Sequence, residues 1–304
     1  MEKYINETTQ KGSEKMKGKY LNPKADLTFK LVFGEHPDLV MSLLNALLPL
    51  PDDGQITYVE YLPSEMVPET PLKKDSIVDV RCKDQQGRQF IVEMQLYWNN
   101  EYRQRVLLNA SKAVVRQLGK GEDYTLIQPV YSLNLINEDR FEPDSEEFYH
   151  DYAIVDVEHT DRRIEGLRFI FIELPKFKPQ TIAERKMAVL WLRFLTEIDT
   201  DTKEAPAELM ENADTRKALS IVEESAMTEG QIYAYERFWQ SIVNERVLIE
   251  GGYKKGRAEG RAEGEAKGRA EERIKNARSL KANGIPLDVI ANNLGLSQDE
   301  IDVL

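Results

Sequence analysis

Hydrophobic positions along this chain fall into three regimes. Up to about residue 180, short apolar runs alternate with turn residues. "HPDLVMSLLNALLP" (36–49) reads as a mostly apolar helix that stops before Pro51. The runs "QITYVEYL" (55–62), "SIVDVRCK" (76–83), "RQFIVEMQLYW" (88–98), "TLIQPVYSLNLIN" (125–137), "EFYHDYAIVDVEH" (147–159) and "LRFIFIEL" (167–174) are rich in β-branched and aromatic residues and read as strands. Residues 101–119 place Leu107, Val114 and Leu118 at helical spacing with Leu108 and Val115 alongside, a 3.6-residue period that predicts a helix. Helix, three strands, helix and further strands predict an α/β or α+β domain over residues 21–180.

Residues 181–250 change to a helical period. In "TIAERKMAVLWLRFL" and "TEGQIYAYERFWQSIVNERVLIE" the residues Met187, Trp191, Phe194, Tyr235, Phe238 and Trp239 recur at helical spacing, as core residues do. Residues 251–272 carry glycine at 252, 256, 260, 264 and 268. Each glycine costs a helix about 1 kcal/mol against alanine, while pairs such as Arg261–Glu265 and Lys267–Glu271 recover a few tenths each. This predicts a helical linker. The charges between the glycines exclude a membrane packing face. Residues 273–304 read as short helices, with Pro286 in a first turn and a capping box from Ser297 to Glu300. The outline is that of half a helix-turn-helix. However, residues 284–304 hold Asp288, Asp299, Glu300 and Asp302 and no Lys or Arg, and phosphates repel such a surface. Residues 251–304 are therefore expected to contact protein, either a partner or a second copy. Residues 1–20 are polar and Lys-rich, and read as a mobile tail without the apolar centre of a secretory signal.

Composition narrows the class. Hydrophobic residues make up 41% of the 304 and charged residues 31%, enough for a core and a soluble surface. No apolar run is long enough to span a membrane. A single cysteine, Cys82, cannot form an internal disulfide, and a reducing, cytoplasmic setting is expected. The net charge of −12 argues against non-specific affinity for nucleic acid. Locally the balance reverses: residues 101–120 hold Arg103, Arg105, Lys112, Arg116 and Lys120 against one acid, Glu101. Arg105, Lys112, Arg116 and Lys120 are spaced by seven, four and four, a stripe able to position a DNA backbone. His36, His150 and His159 lack zinc-site spacing, and there is no P-loop or G-x-S-x-G motif.

Candidate chemistry lies in two neighbouring strands. Alternation puts Ile77, Asp79 and Arg81 on one face of the first, with Val78, Val80 and Cys82 on the other. In the second strand Ile91, Glu93, Gln95 and Tyr97 share a face, an acid and an amide inside an otherwise apolar ribbon. A three-residue loop Gln85-Gln86-Gly87, with a left-handed glycine, pairs Asp84 with Arg88 and sets Asp79 opposite Glu93, with Cβ atoms roughly 5 Å apart. Two such carboxylates repel unless one is protonated or a cation intervenes. Arg81 could pair with either acid. A hard divalent cation with oxygen ligands also resolves the conflict.

The pieces "NPKADLTFKLVFG" (22–34), "SIVDV" (76–80) and "FIVEMQ" (90–95), in that order, resemble the Rpn-type recombination-promoting nucleases, the PD-(D/E)XK family transposases. The helical second half, the Gly-rich repeat and "GLSQDEI" fit as well, so the likeness covers most of the chain. It implies a restriction-endonuclease-like core, a mixed sheet flanked by helices, and hydrolysis of DNA phosphodiesters. It implies Asp79, Glu93 and the Met94 carbonyl as ligands of Mg2+, or of Mn2+ or Ca2+. Gln95 stands where the wider superfamily has lysine; it can orient a water but carries no charge. Asp26 and Lys30, four apart, lie on one face if helical, with Lys30 a candidate replacement for that cation. The alternative is a nuclease-like scaffold of weak or no activity that binds DNA or a protein.

Overall fold

In the computed structural model, residues 18–66, 76–97, 99, 101–138, 140–179 and 186–302 are described. Most of the tail expected over 1–20 lies outside them. Residues 18–21 are pinned, by Gly18 N–H to the Thr200 carbonyl at 2.9 Å and Leu21 N–H to the Val222 carbonyl at 2.8 Å. Tyr20 is buried.

The first helix, α1 (Asp26–Phe29), continues as a π-helical turn over Lys30–Gly34, and α2 (Pro37–Leu47) follows. The strands are β1 (Val59–Tyr61), β2 (Glu65–Met66), β3 (Ser76–Ile77), β4 (Val80–Asp84), β5 (Gln89–Gln95), β6 (Val130–Ile136), β7 (Tyr149–Val155) and β8 (Arg163–Glu173). Helix α3 (Tyr102–Val115) connects β5 to β6. Beyond the sheet come α4 (Lys186–Glu197), α5 (Ala207–Glu211), α6 (Ala213–Ile221), α7 (Glu229–Ala282), α8 (Leu287–Leu294) and α9 (Gln298–Asp302).

Six strands form one mixed sheet in the order β1-β4-β5-β6-β8-β7. β1, β4 and β5 are antiparallel, β5-β6-β8 are parallel, and β7 returns antiparallel on β8. β6 is central, and every one of its residues is buried. On one face Val80, Cys82, Phe90, Val92, Leu133 and Leu135 pack against α1, α2, α4 and α6, with Trp191 edge-on to Phe33 and Phe194. On the other face α3 covers Val78, Ile91 and Val130 with Ala110 and Ala113. This is the mixed sheet flanked by helices that the family resemblance implied. The compact unit extends to Trp239, past residue 180, because α4–α6 and the start of α7 share its core; residues 240–304 form a second unit.

The covered face of α3 is not the one its large apolar residues mark. Tyr102, Val106, Asn109, Ala110 and Ala113 are buried, whereas Leu107 and Val115 are 52% and 68% exposed and Leu108 also faces solvent. Alanines let the helix lie close to the sheet, so its covered stripe contains small residues in place of the leucines. β3 and β4 likewise break the expected alternation. A bend at Val78–Asp79 sends Val78 to the α3 side, opposite Val80 and Cys82.

In the second unit α7 runs through the glycine repeat, and Arg261 pairs with Glu265 at 2.9 Å. The capping box forms: Ser297 N–H donates to Glu300 Oε2 at 2.8 Å, and Glu300 N–H to Ser297 Oγ at 3.3 Å. Among the described residues no helix is long and apolar enough to cross a membrane.

The β4–β5 turn fixes the register on which the site depends. Gly87 has φ +82°, the left-handed conformation. Asp84 Oδ1 accepts from the Gln86 and Arg88 N–H groups at 2.9 Å each, and Oδ2 from Arg88 Nε at 2.7 Å. Both side chains are buried, and Arg88 also donates to the Gly54 carbonyl at 2.6 Å. Asp84→Ala leaves that guanidinium without its acid, and is expected to cost about 3–5 kcal/mol in urea unfolding. A loss under 1 kcal/mol would show that the pair does not hold the turn.

Candidate active site

The ladder Val80↔Val92, Arg81↔Ile91, Cys82↔Phe90 has the register the loop predicted, and Asp79 and Glu93 are the next residues beyond its end, close enough to repel each other. Asp79 lies just before β4, in the bend, so its side chain turns toward the neighbouring strand. Asp79 Oδ2 accepts the Met94 N–H at 2.7 Å. In a strand the N–H and C=O of one residue point the same way. The Met94 carbonyl therefore faces the same edge, past the end of the β4 ladder. Glu93 is buried and its Oε1 accepts from Asn109 Nδ2 at 2.8 Å. Its Oε2 lies 3.9 Å from Arg105 Nη2.

Burial dominates the electrostatics. It pushes the Glu93 carboxyl up to about 7; Asn109 pulls it back, Asp79 adds to the rise and Arg105 opposes it. Burial likewise raises Asp79 to about 6, against the Met94 N–H, with Asp26 raising it further and Lys30 and Arg105 lowering it. Asp26 and Lys30 are thus within electrostatic reach of the site, and Lys30 Nζ binds Asp26 Oδ1 at 2.7 Å, both half-exposed.

Gln95 is committed on both sides of its amide: Oε1 accepts from Arg105 Nη2, and Nε2 donates to the Tyr97 carbonyl. Arg105 also lies over the Tyr102 ring, 4.9 Å from its centre. The Tyr102 hydroxyl donates to Asn134 Oδ1 at 3.1 Å, and Asn134 pairs opposite Glu93 on β6. Asn109, Tyr102 and Asn134 escaped the sequence reading. The available signal was the four-residue step from Arg105 to Asn109, one helical turn on one face.

The basic residues of α3 separate. Arg105, Lys112 and Arg116 keep one stripe, with Arg116 as the C-cap. Lys120 lies beyond the helix, so the stripe ends one member earlier than its spacing predicted. Arg103, outside the stripe, turns to the loop after β6. It donates to the Phe141 carbonyl, pairs with Glu142 at 3.0 Å and stacks on the Phe141 ring at 4.3 Å. Arg81, a candidate partner for either acid, donates instead to Gln89 Oε1 at 2.9 Å.

Among the described residues no group of three or more His, Cys, Asp or Glu side chains could hold a metal. Asp79 and Glu93 do fit a hard cation. They supply carboxylate oxygens, each with an oxygen outside its protein hydrogen bond, and the Met94 carbonyl faces the same edge. Mg2+ is commonly bound by one or two carboxylates, with waters and substrate phosphates completing its shell.

An acid pair on an antiparallel hairpin, backed by a helix across a mixed sheet, is the arrangement of PD-(D/E)XK nuclease folds. The model of the PD-(D/E)XK nuclease family transposases matches residues 23–252, and the chain belongs to that family. No curated protein and no solved structure matches it. Family membership supports a nuclease-like function.

The carboxyl shifts set a pH dependence. Unfolded, Glu93 releases its proton near 4.5; folded, near 7. Between those values the folded state holds the extra proton, so stability falls as pH rises through the interval. Glu93→Gln removes this dependence. In EDTA the variant is expected to be more stable than wild type at pH 8 by about 1–3 kcal/mol, with the gap closing by pH 5. Denaturation curves with equal gaps at both pH values would refute it.

Proposed function

We propose that the protein is a Mg2+-dependent DNA endonuclease, acting in the recombination or transposition chemistry its family name describes. The observation that carries this reading is the Asp79–Glu93 pair, two carboxylates in a low-dielectric corner with little compensating charge. The reaction adds water across a phosphodiester. The water oxygen bonds to phosphorus, the bond to the leaving sugar oxygen breaks, the water gives up a proton and the leaving oxygen gains one. Asp79, Glu93 and the Met94 carbonyl would hold the cation, which when bound polarises the phosphate and lowers the pKa of the attacking water. Asn109 fixes the Glu93 carboxylate. Asp26 and Lys30 border the site as an ion pair, and Lys30 adds positive potential there. The stripe Arg105, Lys112 and Arg116, with Lys120 beyond it and Arg103 to one side, lines a path for a phosphate backbone. Residues 251–304 serve self-association or a protein partner, and the protein acts in the cytoplasm.

Asp79→Asn and Glu93→Gln each keep shape and remove a ligand charge. Both are expected to lower plasmid nicking in Mg2+ by at least about a hundredfold (roughly 2.7 kcal/mol of barrier), with folding intact by circular dichroism. EDTA should abolish nicking, and Mn2+ should restore it. The second reading, a scaffold that binds without cutting, is favoured by an uncharged amide at position 95. Wild-type protein that binds DNA and never nicks it in Mg2+ or Mn2+ would establish that reading.

DNA binding has its own test. Arg116→Ala is expected to weaken binding alike across sequences and to reduce the slope of log affinity against log salt by about 0.9. An unchanged slope in fluorescence anisotropy titrations would take Arg116 off the DNA path.

A further inference from the structure

Arg105 and Arg103 sit two residues apart on α3 and are used differently. Arg103 is taken up by Phe141 and Glu142. Arg105 turns toward the acid pair, held from three directions. Gln95 accepts its Nη2 hydrogen bond, the Tyr102 ring supports the guanidinium, and Glu93 Oε2 lies 3.9 Å away. Tyr102 is wholly buried and anchored to Asn134, so the platform beneath the guanidinium is rigid. About half of the Arg105 side chain remains exposed, so a phosphate can reach it. Lys30, the other cation near Asp79, is occupied by Asp26 at 2.7 Å.

A guanidinium delivers planar, bidentate donors and keeps its charge at any working pH. Phosphoryl transfer is accelerated chiefly by positioning and by fixed positive charge where negative charge develops. We propose that Arg105 is the charge-stabilising catalytic residue of the hydrolytic site, with Gln95 the positioning residue that aims it at the scissile phosphate. This gives Gln95 a function different from holding the water, and gives Arg105 a role in the reaction in addition to its place in the stripe along α3. During hydrolysis Arg105 donates hydrogen bonds to a non-bridging oxygen of the phosphate and transfers no proton. The inference rests on the nuclease reading.

The test compares Arg105→Gln, Arg105→Lys and Gln95→Ala with wild type. Three readouts are needed: nicking rate at saturating plasmid, DNA affinity in Ca2+, and Ca2+ affinity by calorimetry. Arg105→Gln is expected to cut about a hundredfold slower at saturation, while DNA affinity falls by no more than the loss of one phosphate contact, about tenfold. Its Ca2+ affinity should rise several-fold, because a cation beside the carboxylates is gone. Arg105→Lys should recover part of the rate, and Gln95→Ala should lose rate with DNA affinity kept. An Arg105→Gln variant that cuts at the wild-type rate once saturated, and binds Ca2+ as wild type does, overturns the proposal. A wild-type protein that neither cuts nor binds Ca2+ overturns instead the nuclease reading beneath it.

Discussion

Two carboxylates placed side by side at the end of a hairpin, out of bulk water, repel each other and lose hydration together. Much of the first unit bears on that strain. The turn Asp84–Arg88 locks the register that sets Asp79 against Glu93, and the bend before β4 turns Asp79 onto the Met94 N–H. α3 approaches closely through Ala110 and Ala113, which brings Asn109 onto Glu93 and Arg105 within range. These contacts ease the conflict without removing it, since both carboxyls still hold protons more tightly than ordinary ones. A corner that remains short of positive charge is one that attracts a cation.

Much of this was legible in the sequence, for identifiable reasons. The hairpin register followed from local rules: a loop length, a glycine that must be left-handed, and an acid facing an arginine across the turn. Strand identity followed from β-branched and aromatic runs, and the structure places strands within all six segments. The acid pair was a consequence of register. What escaped depended on packing between distant segments. Hydrophobicity marks Leu107, Leu108 and Val115 on α3, but the distance to the sheet selected alanines for the covered face. The bend that turns Val78 onto the α3 face has no signature in a run of alternating residues. Asn109 and Tyr102 act across α3 and β5–β6, and only that docking gives an asparagine and a tyrosine their place.

Charge is distributed as unevenly as it is in the sequence. The chain is strongly acidic overall, yet the stripe on α3 faces outward beside the site. The field around the molecule is therefore uneven, and the net acidity sharpens the contrast with this one basic stripe. Within the 240–304 unit charges of both signs are interspersed, with Arg261 paired to Glu265 and Arg273 meeting Glu300 at 2.9 Å beside the Ser297 cap.

The sheet order carries a kinetic consequence. β4 and β5 are joined by a tight turn, and a hairpin of that kind closes in microseconds. β5, β6 and β8 are parallel neighbours, and each must wait for an intervening crossover segment to be laid down and docked. The hairpin that bears Asp79 and Glu93 can thus form while still hydrated, before α3 covers it. The burial that raises both carboxyls arrives with the docking of the helix. Refolding above neutral pH then meets its electrostatic resistance at a late step, when the helix closes over the acid pair.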